Sequence, residues 1–140
     1  MIQDIHRNLT GGEEHLEVIY EPSTESECFE ETLKKNRERD MRMKMTSAGP
    51  HRDDLCFMVN GIDIRKFGSQ GQQRTICLSL KMAEVELINE KTGAYPVLLL
   101  DDVLSELDKN RQDYILKSIN NIQTIITCTG LDEITRNIRR

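Results

Sequence analysis

Between Gln72 and Thr127 the apolar pattern changes period three times, from helical to continuous and back, which excludes an all-helical or an all-strand chain over this stretch. From Gln72 to about Lys91, Ile76, Leu80, Ala83 and Leu87 form one stripe at helical spacing and Leu78, Met82 and Val85 a second, so the spacing predicts a helix well buried on two faces. Gly93 is placed to end it. The run "YPVLLLDD" then reads as a short strand of the kind buried in a parallel sheet, and "QTIITCT" as another. Between them a helix is predicted over about Glu106 to Asn120, and a last one over Leu131 to Arg139. This alternation is the rhythm of an α/β fold, with buried, mainly parallel strands and flanking helices.

Upstream, Leu16, Val18 and Tyr20 alternate with polar neighbours, which predicts a strand after the Thr10-Gly11-Gly12 turn that ends at Pro22 and Ser23. A helix is expected from about Ser26 to Asp40, with Phe29 and Leu33 as its apolar stripe and "KKNRERD" as a solvated face. "MRMKM" switches to a period of two and predicts a strand leading into Thr46. Beyond Gly49-Pro50, Leu55, Phe57 and Val59 alternate up to Asn60-Gly61, and Ile62 and Ile64 alternate after it. That is a β-hairpin signal, because Asn-Gly adopts the positive φ angles of a type I′ turn at little cost.

A chain of 140 residues is one domain of ordinary size, able to bury roughly 68–70% of its unfolded surface. Cys28, Cys56, Cys77 and Cys128 are far apart, form no C-x-x-C pair and lie in or beside apolar runs, which predicts buried free thiols rather than a zinc site or disulfides. No secretory signal is visible, and the longest clean apolar run, Val97 to Leu100, is too short to cross a bilayer, so a soluble, cytoplasmic chain is expected with no membrane partner. Residues 1–54 carry 8 basic and 13 acidic residues and the remainder 11 of each, a poor balance for a stand-alone clamp on a phosphate backbone.

Two stretches carry chemistry. In "VLLLDDVLSELD" two carboxylates follow four apolar residues where the strand emerges, the end at which open α/β sheets bind ligands. Such a pair suits Mg²⁺ on a nucleoside triphosphate, with Asp101 holding the ion through water and Asp102 orienting or deprotonating the attacking water. The competing reading is that the two aspartates begin a loop and cap the next helix. In "FGSQGQQRT", Ser69 and Gly71 present a hydroxyl and bare N–H groups at the positive end of a helix, a receptor for a phosphate or else an ordinary N-cap. "GPHRDD" could be drawn as a metal site, but His51 and Asp53 share a strand face that Asp54 cannot. A structural turn with Arg52 paired to a carboxylate is the preferred reading, and His6 and His15 read as surface residues.

With these residues in view, the chain resembles ABC-type ATPases. "FGSQGQQRT" is similar to their signature motif, "VLLLDD" to the Walker B strand and "SELD", Ser105 to Asp108, to the D-loop. "GPHRDDL" and "NGIDIRKFGSQGQQRT" are similar to the RecF family in particular, over its C-terminal portion. The resemblance implies the C-terminal part of an ABC-type P-loop ATPase head, with residues 1–48 ending an inserted lobe and 49–140 forming the head segment. It implies that Ser69, Gln70, Gly71 and Gln72 touch the γ-phosphate of ATP bound on the opposite subunit. Ser105 and Asp108 would line the same dimer interface, Asp101 would hold Mg²⁺ and Asp102 would serve catalysis. The implied partners are gapped or duplex DNA, RecO, RecR and a second copy of the protein joined through ATP. Asp102 stands where most ABC enzymes carry a glutamate, implying slow hydrolysis, and the switch-histidine position falls at Cys128, next to Thr127.

No G-x-x-x-x-G-K-[ST] occurs in the chain, so the loop that wraps the phosphates must come from another segment, and the chain alone is expected to be catalytically silent. A free-standing, non-catalytic adaptor that binds a partner repair protein is the alternative. Against it, an adaptor has no physical need of Asp101-Asp102 or Ser69-x-Gly71.

Overall fold

The computed structural model describes residues 1–128 and divides into two compact units, Met1–Leu16 with Gly68–Arg140, and Glu17–Phe67. The division expected at residue 48 falls inside the second unit. The predicted helix over Leu131 to Arg139 lies outside the described residues.

The first unit is built on helix α4 (Gln70–Thr92). Ser69 caps it and Gly93 ends it at φ +74°, donating its N–H to the Asn89 carbonyl at 2.8 Å. Helix α1 (Ile2–Leu9), which is not among the elements expected above, packs on α4 and on α5 (Lys109–Ser118). Strands β4 (Leu98–Asp101) and β5 (Thr124–Thr127) pair in parallel, with Leu98 opposite Thr124 and Asp101 opposite Thr127. Leu78, Met82 and Val85 of α4 meet Leu9, Leu98, Leu100, Leu104, Ile115 and Ile119 in one core.

Burial falls on one side of these elements more than the sequence suggests. The second stripe of α4 is buried, but Leu80 and Leu87 of the first stripe are exposed. Alternation along a strand sends neighbours to opposite faces, so Leu98 and Leu100 enter the core while Leu99 stands 68% exposed. Its register partner Ile125 is 56% exposed, and the β4/β5 ladder therefore keeps one bare apolar face. The expectation of fully buried strands holds for one face only.

The second unit carries a three-stranded sheet, β1 (Leu16–Glu21), β2 (Asp54–Val59) and β3 (Ile62–Asp63), in that order. Asn60 and Gly61 have φ of +50° and +78°, the left-handed pair that a type I′ hairpin requires, and Val59 pairs with Ile62. Ile64 does not continue the strand but begins the short helix α3 (Ile64–Phe67). Helix α2 (Phe29–Met43) runs through Met41 and Met43 to a left-handed cap at Lys44, so the expected "MRMKM" strand is absent. Alternating methionines also fit a helix end whose side chains meet solvent, and Met41, Met43 and Met45 are all exposed.

Candidate functional site

β4 and β5 end level with each other, and this common edge gathers the carboxylates. Thr127 Oγ1 donates to Asp101 Oδ1. The Asp102 N–H donates to the Thr127 carbonyl at 3.1 Å and to its hydroxyl oxygen at 3.0 Å. Asp102 sits at φ +52°, a left-handed conformation that aspartate tolerates better than most residues, and this turns the chain out of the strand. Ser105 Oγ then lies 2.7 Å from Asp102 Oδ1 and 2.8 Å from the Asp102 carbonyl oxygen. The structure thus brings Asp101, Asp102, Ser105 and Thr127 together, whereas Asp108, expected beside Ser105, is not part of this cluster. The signal for Thr127 is its register opposite Asp101, which no one-dimensional pattern displays.

Asp108 faces a different task. Its Oδ1 caps α5 by accepting the Arg111 N–H at 3.1 Å, and its Oδ2 pairs with the Arg111 guanidinium at 3.2 Å. Gln112 donates to the carbonyls of Leu104 and Leu107 at 2.7 and 3.1 Å, and fully buried Leu104 anchors the intervening turn in the core.

At the start of α4, Ser69 Oγ accepts the Gln72 N–H at 3.2 Å and Gln72 Oε1 accepts the Ser69 N–H at 3.1 Å, a closed capping box. Gln72 Nε2 donates to Glu14 Oε1 at 3.0 Å, so this side chain points inward. Ser69, Gln70 and Gly71 are exposed. A Cβ on Gly71 would meet only Ser69 Oγ at 3.9 Å, so packing within the chain does not demand glycine there. Gln70 and Arg74 also line an open groove of about 520 Å³ whose other wall is Leu98, Leu99, Leu100 and Val103.

The remaining expectations divide. His15 is exposed, but His6 is fully buried between Ser79 and Glu14. The cysteines are free but not buried, with Cys28 and Cys77 exposed and Cys56 and Cys128 half-buried. "GPHRDD" is a structural turn, as preferred, though the partners differ. Arg52 donates to the Thr46 carbonyl at 3.2 Å, while Arg65 takes Asp54 in a two-pronged pair at 2.6 and 2.9 Å. Asp53 accepts from Tyr20 and from the Ser23 N–H. Among the described residues no group of three or more His, Cys, Asp or Glu is arranged to hold a metal ion, and no helix is long and apolar enough to cross a membrane.

No family model matches the chain. It is 58% identical over 137 residues to the DNA replication and repair protein RecF of Agathobacter rectalis, covering 98% of this chain and 38% of that protein. The match in sequence and fold is to the C-terminal part of RecF. RecF of Lachnoclostridium phytofermentans is 57% identical over the same share of both chains. The solved structure of the recombination mediator protein RecF-ATPrS in the RecFOR pathway superposes with a TM-score of 0.70 at 40% identity, over 94% of this chain and 39% of that one. The RecF-ATP structure of the same pathway superposes equally well at 38% identity. The chain thus spans under two-fifths of the relatives it matches, and its mixed α/β architecture, with parallel strands, flanking helices and an antiparallel hairpin, is that of RecF over this portion.

Proposed function

We propose that this chain is the C-terminal segment of a RecF-type ATPase head and supplies the signature segment and the Walker B aspartates to an ATP site formed between two heads. The observation that carries this reading is the Asp101, Asp102, Ser105 and Thr127 cluster at the carboxyl edge of parallel strands, where α/β sheets bind their ligands. It is joined by the capped start of α4, which presents Ser69 Oγ and the bare backbone of Gly71 to solvent. An anion is favoured there by the dipole of a 23-residue helix.

In this reading Ser69, Gln70 and Gly71 meet the γ-phosphate of ATP held by the partner head, and Gln72 acts from behind by fixing Ser69. Asp101, oriented by Thr127, would hold a hydrated Mg²⁺, and the ion would supply positive charge to the phosphates. Asp102 orients the attacking water and accepts its proton, and Ser105 holds the Asp102 carboxylate in place. Asp108 serves the interface by shaping the turn, since both its oxygens are committed to Arg111. The phosphate-wrapping loop comes from the rest of the head, whose packing against Leu99 and Ile125 accounts for an apolar sheet face left bare. Such a protein works in the cytoplasm on gapped or duplex DNA with RecO and RecR, dimerising through ATP.

In the complete protein, Asp102→Asn leaves ATP binding and dimerisation intact and slows turnover. Unchanged turnover removes Asp102 from the base role.

A further inference from the structure

His6 is a titratable side chain with no exposed surface, and none of the chemistry above uses it. Its Nδ1 lies 3.0 Å from Ser79 Oγ, and its Nε2 lies 3.0 Å from Glu14 Oε2. Ser79 donates its own hydroxyl hydrogen to the Thr75 carbonyl at 2.8 Å, so its oxygen is left to accept, and Nδ1 must carry a hydrogen. Nε2 and Glu14 Oε2 then need one further hydrogen between them, since two bare lone pairs at that distance repel. Burial pushes the imidazole's pKa down, the facing Glu14 opposes that, and Arg111 of α5 adds to the lowering. A shared proton satisfies both groups without leaving an uncompensated charge inside.

The second oxygen of Glu14 continues the chain of contacts. It accepts Gln72 Nε2 at 3.0 Å, and Gln72 closes the capping box on Ser69. A continuous hydrogen-bonded path therefore runs from the middle of α4 at Ser79, through His6 on α1 and Glu14, back to the first turn of α4. Both ends lie on one helix, so the path ties the side chains of its exposed first turn to its buried body.

We propose that His6 and Glu14 are positioning residues for the start of α4: they hold the Gln72 amide so that Ser69 Oγ and the Gly71 backbone are presented as one rigid receptor. This rests on reading that helix start as the surface that meets the γ-phosphate. Without Glu14 the Gln72 side chain is released, the capping box opens and the first turn frays, while the core around Ile115, on α5, is untouched.

Two variants test it. Glu14→Gln keeps an oxygen for Gln72 and offers an N–H to a neutral His6, so the path survives without charge. Glu14→Ala breaks it. In hydrogen exchange on the chain, Glu14→Ala should speed the Gln72 and Gln73 amides by about tenfold, the equivalent of one ordinary hydrogen bond, with Leu100 and Ile115 unchanged and Glu14→Gln close to the parent. Equal exchange in Glu14→Ala and the parent overturns the positioning role. The second arm is ATP turnover in the complete protein, with Asp102→Asn beside it. Glu14→Ala should lower turnover by about tenfold or more and Glu14→Gln should restore it, as expected for a misplaced contact group. If Asp102→Asn is inactive while Glu14→Ala turns over normally, this proposal falls and the ATP-site reading stands. If Asp102→Asn is fully active, the ATP-site reading falls, and the exchange arm alone decides whether the path orders the helix start.

Discussion

The backbone N–H of Asp102 donates to both oxygens of Thr127, at 3.1 Å to the carbonyl and 3.0 Å to the hydroxyl, while that hydroxyl donates to Asp101. One threonine therefore fixes the direction of one aspartate and the left-handed turn of the next. Thr127→Val keeps the shape and the carbonyl bond but removes the link to the Asp101 carboxylate. The Asp102 amide should exchange several-fold faster, and Thr127→Ser should restore it. Identical exchange in the valine variant would show that the carbonyl alone holds the turn.

The hairpin unit has a pH signature. The Arg65 guanidinium, helped by the Leu55 N–H, pulls the Asp54 pKa down from its ordinary 3.8 to about 2. A folded pKa below the unfolded one adds stability that is fully present above about pH 4 and lost as pH falls towards 2. Carboxyl NMR on Asp54 should show a midpoint near 2, moving back towards 3.8 in Arg65→Leu. A midpoint unmoved by that substitution would contradict the pairing.

Ile115 has no exposed surface and sits where α5 joins the core of the first unit. Ile115→Ala should cost about 2–5 kcal/mol in denaturant unfolding. Ser69→Ala, which removes only an exposed N-cap, should cost about 1 kcal/mol. Equal losses would mean that α4 and the core are not related as described.

Leu99 and Ile125 lie side by side on the bare sheet face. Leu99→Lys should change the stability of the isolated chain by under about 0.5 kcal/mol, because the side chain is already in solvent. The same change should abolish association with a separately produced N-terminal segment of the head. Undiminished association would place that contact elsewhere.

The legible parts of this chain were those governed by local chemistry. Asn60-Gly61 announces its hairpin and Gly93 its helix end, because each occupies a backbone region few residues tolerate. Asp101 and Asp102 could be paired because they are adjacent in sequence at a strand end. What stayed hidden depends on partners remote in the chain. His6 reads as a surface histidine until α1 packs against Ser79, and Thr127 is linked to Asp101 only by parallel register. Met41 to Met45 alternate in both senses, and the α2 helix wins because its last turn can continue to a left-handed cap at Lys44. Leu80, Leu87, Leu99 and Ile125 read as core because the pattern reports which residues are apolar, not which layer covers them.

On the function proposed above, this chain is half of a composite ATP site. The most direct test is ATP hydrolysis after mixing it with the matching segment that carries the phosphate-binding loop, with and without DNA. Asp102→Asn is a clean control, since asparagine also tolerates the left-handed φ of +52° and the fold should persist. Activity that requires both pieces and falls sharply in the control is the predicted result. Association of the two pieces without hydrolysis would contradict it and leave the chain as a binding module.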